Sequence, residues 1–252
     1  MYGAADVTHF GEPLGGENAW RVPRAWRGLS AQGGLAERRT AVAAYNEQHT
    51  WRKRGLALLP TKYGINFTAK FMNQGGALVH VYTDGTVLVT HGGTEMGQGL
   101  HTKVCQVAAN ALGVDLAAVH VAETATDKVA NTMPTAASMS TDLYGMATLD
   151  ACRQINARLE PFRAQLGPDA PLAQVALAAM FARVDLSAHG FFAVDDQRCG
   201  YDWDTPIGTL PDGVSPDNAQ RGHPFNYFTQ GVGCAEVEVD LLTGDHQVSS
   251  SS

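Results

Sequence analysis

At 252 residues with 44% hydrophobic content, the chain is long enough to bury one large core or two small ones, which excludes a disordered polypeptide. Its formal charge is −7, and its basic residues gather mainly between Arg21 and Arg54 among interrupting acids, which argues against a broad nucleic-acid face. No apolar run reaches 18 residues and Met1 to His9 lacks the features of a signal peptide, so the expected location is cytoplasmic, with no membrane partner.

Tyr2 to Arg27 is rich in Gly, Pro and polar residues and reads as an irregular opening segment. Leu35 to Trp51 follows as a charged helix with Val42, Ala43 and Tyr45 on its apolar side. Trp51-Arg-Lys-Arg54 reads as a solvated helix end in preference to a phosphate-binding patch. Gly55 to Leu59 is short enough for a buried strand closed by Pro60, and Gly64 to Phe71 reads as another strand. Ala77 to Tyr82 and Thr86 to Thr90 are β-rich runs joined by an Asp84-Gly85 turn, a hairpin signal. Leu100, Val104, Val107, Ala108 and Ala111 recur at helical spacing, with Gly113 placed for a left-handed cap.

Val119 to Thr124 reads as a strand, Thr141 to Leu159 and Pro171 to Arg183 as helices, and Gly200 to His223 as a long polar connection. Gly233 to Leu242 alternates Cys234, Glu236 and Glu238 against Ala235, Val237 and Val239, the pattern of a half-buried strand. Without a regular βαβ rhythm, the fold class expected is α+β, with mixed sheets and packed helices. The turn Leu242 to His246 calls for a partner strand that is expected to be missing, since only Gln247 and Val248 precede Ser249 to Ser252. Residues 1–248 are therefore taken as one region, and 249–252 as a solvated serine tail, non-native or a truncation end. Cys105, Cys152, Cys199 and Cys234 are too widely spaced for paired metal ligation and read as buried thiols.

Two segments carry candidate chemistry. His91 to Lys103 places four glycines and several polar side chains between the hairpin and a helix, so backbone amides can converge at a positively polarised helix start suited to an anion. It is not a P-loop, because Gln98 and Gly99 stand where the Lys and the Ser or Thr belong, and Gly93, Gly97 and Gly99 do not form a dinucleotide fingerprint. On spacing alone, a ligand-free turn is as good a reading. Asn131 to Thr141 puts Pro134 ahead of small residues and hydroxyls, with a helix expected to begin near Thr135; on its own, helix capping is the favoured reading. His91 and His101 flank the glycine turn, but a ten-residue separation is no local metal-ligand spacing. His80 reads as structural, and Glu95 as a favourable charge at a helix start.

Thr61 to Thr68, Asn73 to Gly85, His91 to Lys103, Asn131 to Asp142 and Tyr227 to His246 together resemble the molybdopterin-binding region of the molybdenum hydroxylases, and most closely the xanthine dehydrogenase branch, in that family's order. The similarity runs from about Tyr2 to Val248. It implies that Gln98, Ala137, Ser138, Ser140 and Thr141 contact the molybdopterin, and that Phe67 and Thr68 face the substrate. Phe67 would offer a ring to a flat heteroaromatic, although an isolated Phe in such a run is more commonly a core residue.

The implied chemistry is molybdenum-dependent hydroxylation of a purine, hypoxanthine or xanthine to urate, with water as the oxygen source. Electrons would pass through 2Fe-2S and FAD groups on other domains or subunits to NAD. Molybdenum would be held by the pterin, not by this chain. The general-base Glu is expected in a Gly-Glu-Pro-Pro-like segment beyond residue 248, and Gly11-Glu-Pro13 is rejected as that base because it lies at the opposite end. The chain is accordingly expected to be an internal fragment of a larger, homo-oligomeric enzyme and inactive alone. An aldehyde oxidase is the alternative within this class, and a non-catalytic scaffold the alternative outside it.

Overall fold

The computed structural model describes residues 20–204 and 222–251, with Gly3, Asp6, Thr8 and Leu14. In chain order its elements are α1 (Val22–Gln32), α2 (Leu35–Gln48), β1 (Arg52–Ile65), β2 (Gln74–Val81), β3 (Val87–His91), α3 (Leu100–Leu112), β4 (Val119–Val121), α4 (Ser140–Leu166), α5 (Leu172–Phe181), β5 (Ser187–Ala193), β6 (Gly200–Tyr201), β7 (Gly222–His223), β8 (Tyr227–Asp240) and β9 (His246–Ser251). They divide into two compact units, one of residues 1–64, 207–220 and 227–252, the other of 65–206 and 221–226. The combination of helices with mixed sheets is the α+β class expected.

In the first unit the strand order is β1-β8-β9, and β8 pairs with β9 antiparallel, Val237 opposite Val248. The return strand judged to be missing is therefore present. A ladder needs only backbone donors and acceptors, so the serines pair as well as other residues would. The opening segment is likewise shorter than expected, because α1 starts at Val22, with Pro23 in the first helical turn where its lacking N–H costs nothing. Residues 11–13 lie outside the described residues.

The first helix of the prediction, α2, ends at Gln48, and His49 stacks on Tyr45 with ring centroids 3.8 Å apart. Val42 and Tyr45 are half-buried as expected, whereas Ala43 is exposed. The basic run after it is no helix end: it opens β1, where Arg54 donates to Glu238 Oε2 at 3.0 Å and lies 3.9 Å over the Tyr45 ring. Pro60 does not close this strand. As β1 is an edge strand, the absent N–H need not be paired, and the strand runs on to Ile65.

The second unit is organised on a mixed sheet of order β4-β3-β2-β5, with β2 antiparallel to β3 and β5, and β3 parallel to β4. Ala77, Val79 and Val81 alternate inward, at 0–5% exposure. One core joins Val79 and Val81 to Leu100, Val104, Ala108 and Leu112 of α3 and to Ala151, Ile155 and Leu159 of α4, while Leu143 and Ala147, on the same four-residue stripe of α4, lie against Gly75 and Gly190. Full burial of each Leu or Ile contributes about 1.5–3 kcal/mol.

Gly190 permits the close crossing of α4 over β5, since a Cβ there would overlap the Ala147 carbonyl and come 2.6 Å from Ala151 N. α4 also runs seven residues beyond the predicted end, through Pro161, because Phe162 packs on the same core and holds the last turns in place. Gly200 to His223 begins and ends as a two-stranded ribbon, Gly200 opposite His223. Cys152, Cys199 and Cys234 are buried free thiols and Cys105 is half-buried; burial pushes the Cys152 thiol up to about 12. No described helix is long and apolar enough to cross a membrane.

Candidate cofactor and substrate site

The glycine turn between β3 and α3 is shaped by its own side chains. Glu95 accepts from the backbone N–H groups of Gly97 and Gly99, both at 2.9 Å, and of His101 at 3.0 Å. These bonds, led by the His101 amide, hold its carboxyl down at about 2. Glu95 is thus an anionic cap on α3, as the helix-start reading anticipated. Gln98 folds back on the turn: its Oε1 accepts from Met96 N–H at 2.6 Å and its Nε2 donates to Thr94 O at 2.9 Å.

The Asn131–Thr141 segment differs from expectation. The helix begins at Ser140, not near Thr135, and before it Ala137 and Ser138 adopt φ of 53° and 56°. Left-handed backbone is unfavourable for residues with a Cβ, by roughly 1–2 kcal/mol each. Two in succession turn the chain sharply and delay the helix. Met139, in the N-cap position, has no side-chain oxygen, and no side chain caps the helix. The amides of Ser140 and Thr141 have no acceptor within the helix, and the N-cap residue Met139 offers them no capping side chain.

The two segments are joined. Thr94 N–H donates to Thr135 Oγ1 at 2.8 Å. Gly92 faces Thr132 so closely that a Cβ would overlap its methyl and lie 3.2 Å from Tyr144 Cε1. Tyr144 in turn donates its hydroxyl to Met133 O at 3.2 Å, and burial pushes that phenol up, keeping it a donor. Gln98 and the Ala137–Thr141 corner therefore belong to one packed assembly. Ser140 is buried, Thr141 and Ala137 half-buried, and Gln98 and Ser138 exposed.

Phe67 and Thr68 are not in a strand. β1 ends at Ile65, and the following loop is held by Asn73, whose Oδ1 accepts from Phe67 N–H at 2.9 Å while its Nδ2 donates to Phe67 O at 2.8 Å. Thr68 O accepts from Tyr201 N–H at 3.0 Å. Both residues are half-buried. Two residues past Asn73, Gly75 lies against Tyr144 and Leu143 in the first turn of α4, a Cβ there coming 3.0 Å from Tyr144 Cε1. The loop is so anchored close to the start of α4. Asn73 was not singled out from sequence, because its role depends on folding back six residues.

The space beside Gly97 and Gly99 is open, a side chain begun at either meeting nothing within 4 Å. Open backbone there, with uncapped helical amides and small hydroxyl residues at the other segment, fits a polar, phosphate-bearing group. No cluster of three or more His, Cys, Asp or Glu capable of holding a metal occurs among the described residues.

The sequence profile of the molybdopterin cofactor-binding domain matches residues 29–251. This chain belongs to that family. The cofactor-binding domain is similar to the xanthine dehydrogenase of Emericella nidulans (51% identity over 97% of this chain and 16% of the relative). It is likewise similar to that of Oryza sativa (52%, over 95% and 16%) and to the xanthine dehydrogenase/oxidase of Rattus norvegicus (47%, over 98% and 17%). The chain spans about a sixth of the length of these relatives.

Among solved structures, the domain resembles the aldehyde oxidoreductase of Desulfovibrio desulfuricans (TM-score 0.64, 20% identity, 99% of this chain and 24% of that one). It also resembles the CO dehydrogenase of Oligotropha carboxidovorans (TM-score 0.60, 17% identity, 95% of this chain and 31% of that one). At these identities the likeness is one of fold.

Proposed function

We propose that this domain supplies part of the molybdopterin cradle and part of the substrate pocket of a xanthine dehydrogenase-type molybdenum hydroxylase acting on hypoxanthine and xanthine. The observation that carries this reading is the left-handed Ala137-Ser138 corner, which leaves the amides of Ser140 and Thr141 uncapped in the same assembly as Gln98. Backbone strain of this kind persists where the surroundings enforce it, and it collects at ligand sites. The 47–52% identity to xanthine dehydrogenases along nearly the whole chain supports the choice of enzyme.

The roles divide by chemistry. Amides at the start of α4 and the hydroxyls of Ser138, Ser140 and Thr141 bind the pterin's anionic and polar groups, and Ala137 gives them room. Gln98 exchanges its internal bonds for pterin atoms, since its carboxamide both donates and accepts. Phe67 stacks on the purine and Thr68 directs a hydroxyl to a substrate oxygen. When bound, the molybdenum pterin supplies the redox chemistry by which a purine carbon gains oxygen from water. The base is contributed from outside this set of residues. 2Fe-2S and FAD groups, NAD as acceptor, a homo-oligomeric complete enzyme and a cytoplasmic setting belong to the same proposal, as does a place in purine breakdown.

Metal, pterin and mass measurements on the native protein, with urate formation from xanthine, test this. Molybdenum and pterin in a species far larger than 26.8 kDa that forms urate are expected. Oxidation of aldehydes but not xanthine would replace the substrate, and a metal-free, inactive species would replace the enzyme by a scaffold.

A further inference from the structure

Beyond the residues assigned above, the glycine turn has a buried organiser on the strand that leads into it. His91, the last residue of β3, has no solvent exposure. Its Nδ1 accepts from Gly93 N–H at 3.0 Å, and its Nε2 lies 3.0 Å from His101 Nδ1. An acceptor at Nδ1 leaves the single proton of a neutral imidazole on Nε2, so His91 donates to His101. The same ring lies 5.3 Å from that of Tyr144, whose hydroxyl holds Met133 of the second segment. One side chain thus binds the beginning of the turn, its end in the first turn of α3, and the helix that carries the other half of the cradle.

We propose that His91 is the positioning residue that sets the shape of the glycine turn for the pterin, acting by accepting the Gly93 amide. The claim rests on the cofactor reading given above. A purely space-filling core histidine would serve the packing against Tyr144 equally well as phenylalanine. What phenylalanine cannot do is accept from Gly93 or donate to His101. Left without an acceptor, a buried Gly93 N–H is costly enough to drive the turn to another arrangement. The surrounding charged and titratable groups are His101 from α3, Glu95 from the turn and Tyr144 from α4. Burial and the neighbouring His101 push His91 down to about 4, so the neutral, two-bonded form is held at neutral pH.

The test compares His91→Phe, His91→Asn and His91→Gln in the native protein. Asparagine keeps an acceptor near the Nδ1 position, glutamine keeps one near Nε2, and phenylalanine keeps volume alone. Two readouts are taken: pterin retained per chain after dialysis, by fluorescence of the released, oxidised pterin, and hydrogen exchange of the Gly93–Gly99 amides. His91→Phe is expected to lose pterin about fivefold or more, the effect of one hydrogen bond. It should also lose exchange protection in the turn while keeping it in α4, with His91→Asn restoring both better than His91→Gln.

Wild-type retention and protection in His91→Phe, or equal loss in the Asn and Gln variants, overturns the proposal. Should His91→Phe not fold, the Asn and Gln comparison decides alone. Native protein free of pterin would overturn the cofactor reading itself, while the exchange measurement would still decide what His91 does to the turn.

Discussion

The mixed sheet of β2 to β5 and the sheet of β1, β8 and β9 are held by different means. Behind the first lie α3 and α4, with a continuous apolar core that includes Val79, Leu100, Ile155 and Leu159, all at 0% exposure. Around the second, the described residues form a smaller buried cluster of Leu35, Leu58 and Cys234, and its helix α2 is tied across the sheet by charge, Arg38 to Glu236 at 3.1 Å. The candidate cradle is built where burial is deepest. Strained backbone at Ala137 and Ser138 costs a few kcal/mol, which a large core offsets and a small one does not.

The strongest way to break this contrast is to open the crossing of α4 over β5. Gly190→Val places side-chain atoms where the Ala147 carbonyl and Ala151 N already stand, and flexible neighbours cannot yield because both are helix backbone. A loss exceeding about 3 kcal/mol is expected, read from the denaturant midpoint of the native protein. An unchanged midpoint would mean that α4 does not press on the sheet as described.

What could be read in advance follows the same division. Period-two and period-four patterns announced β2, β3, α3 and the body of α4, because a single dominant core imposes a regular inward face. Gly113 was legible as a cap, and its φ is 71°. The site residues were nameable only through resemblance, since neither the corner at Ala137 nor the fold-back of Asn73 onto Phe67 leaves a periodic trace. The start of α4 at Ser140 could not be read from Pro134 because two left-handed residues intervene. β9 was missed because serines carry no strand signal of side-chain type, although their backbones pair. In the smaller unit the alternation of Glu236 and Glu238 with Val237 and Val239 announced part of β8, whereas the basic run Arg52 to Arg54 hid the start of β1, whose Arg54 finds its partner Glu238 nearly two hundred residues away.

Acidity should strike the larger unit first. His91 titrates at about 4 when folded, against about 6.5 in the unfolded chain, so the unfolded state takes the proton more readily. Its contribution is fully present above pH 6.5, declines as pH falls toward 4, and totals about 3 kcal/mol. Glu95, held at about 2 from an ordinary 4.5, extends the decline into the lower window between those values. Denaturant titrations from pH 7 to 4 should show this slope, and it should be absent in His91→Phe. A slope that survives the substitution would assign it to other groups.

For the smaller unit the expected sensitivity is to salt. Arg38 and Glu236 keep 22% and 15% side-chain exposure, so Arg38→Ala should cost about 1 kcal/mol, with part of that difference vanishing at 1 M salt. Equal cost at both ionic strengths would point instead to the packed stem of the arginine.

The smallest effect has the opposite sign. Ser138 is exposed with φ of 56°, so Ser138→Gly removes a left-handed penalty without opening a cavity. Glycine's greater freedom in the unfolded chain cancels part of the gain, leaving up to about 1 kcal/mol of stabilisation. A corner maintained for ligand binding should then become more stable and bind pterin less well, because the hydroxyl is gone and the turn is less constrained. Reduced stability on this substitution would show instead that the corner is relaxed as it stands and holds no strain for a ligand to account for.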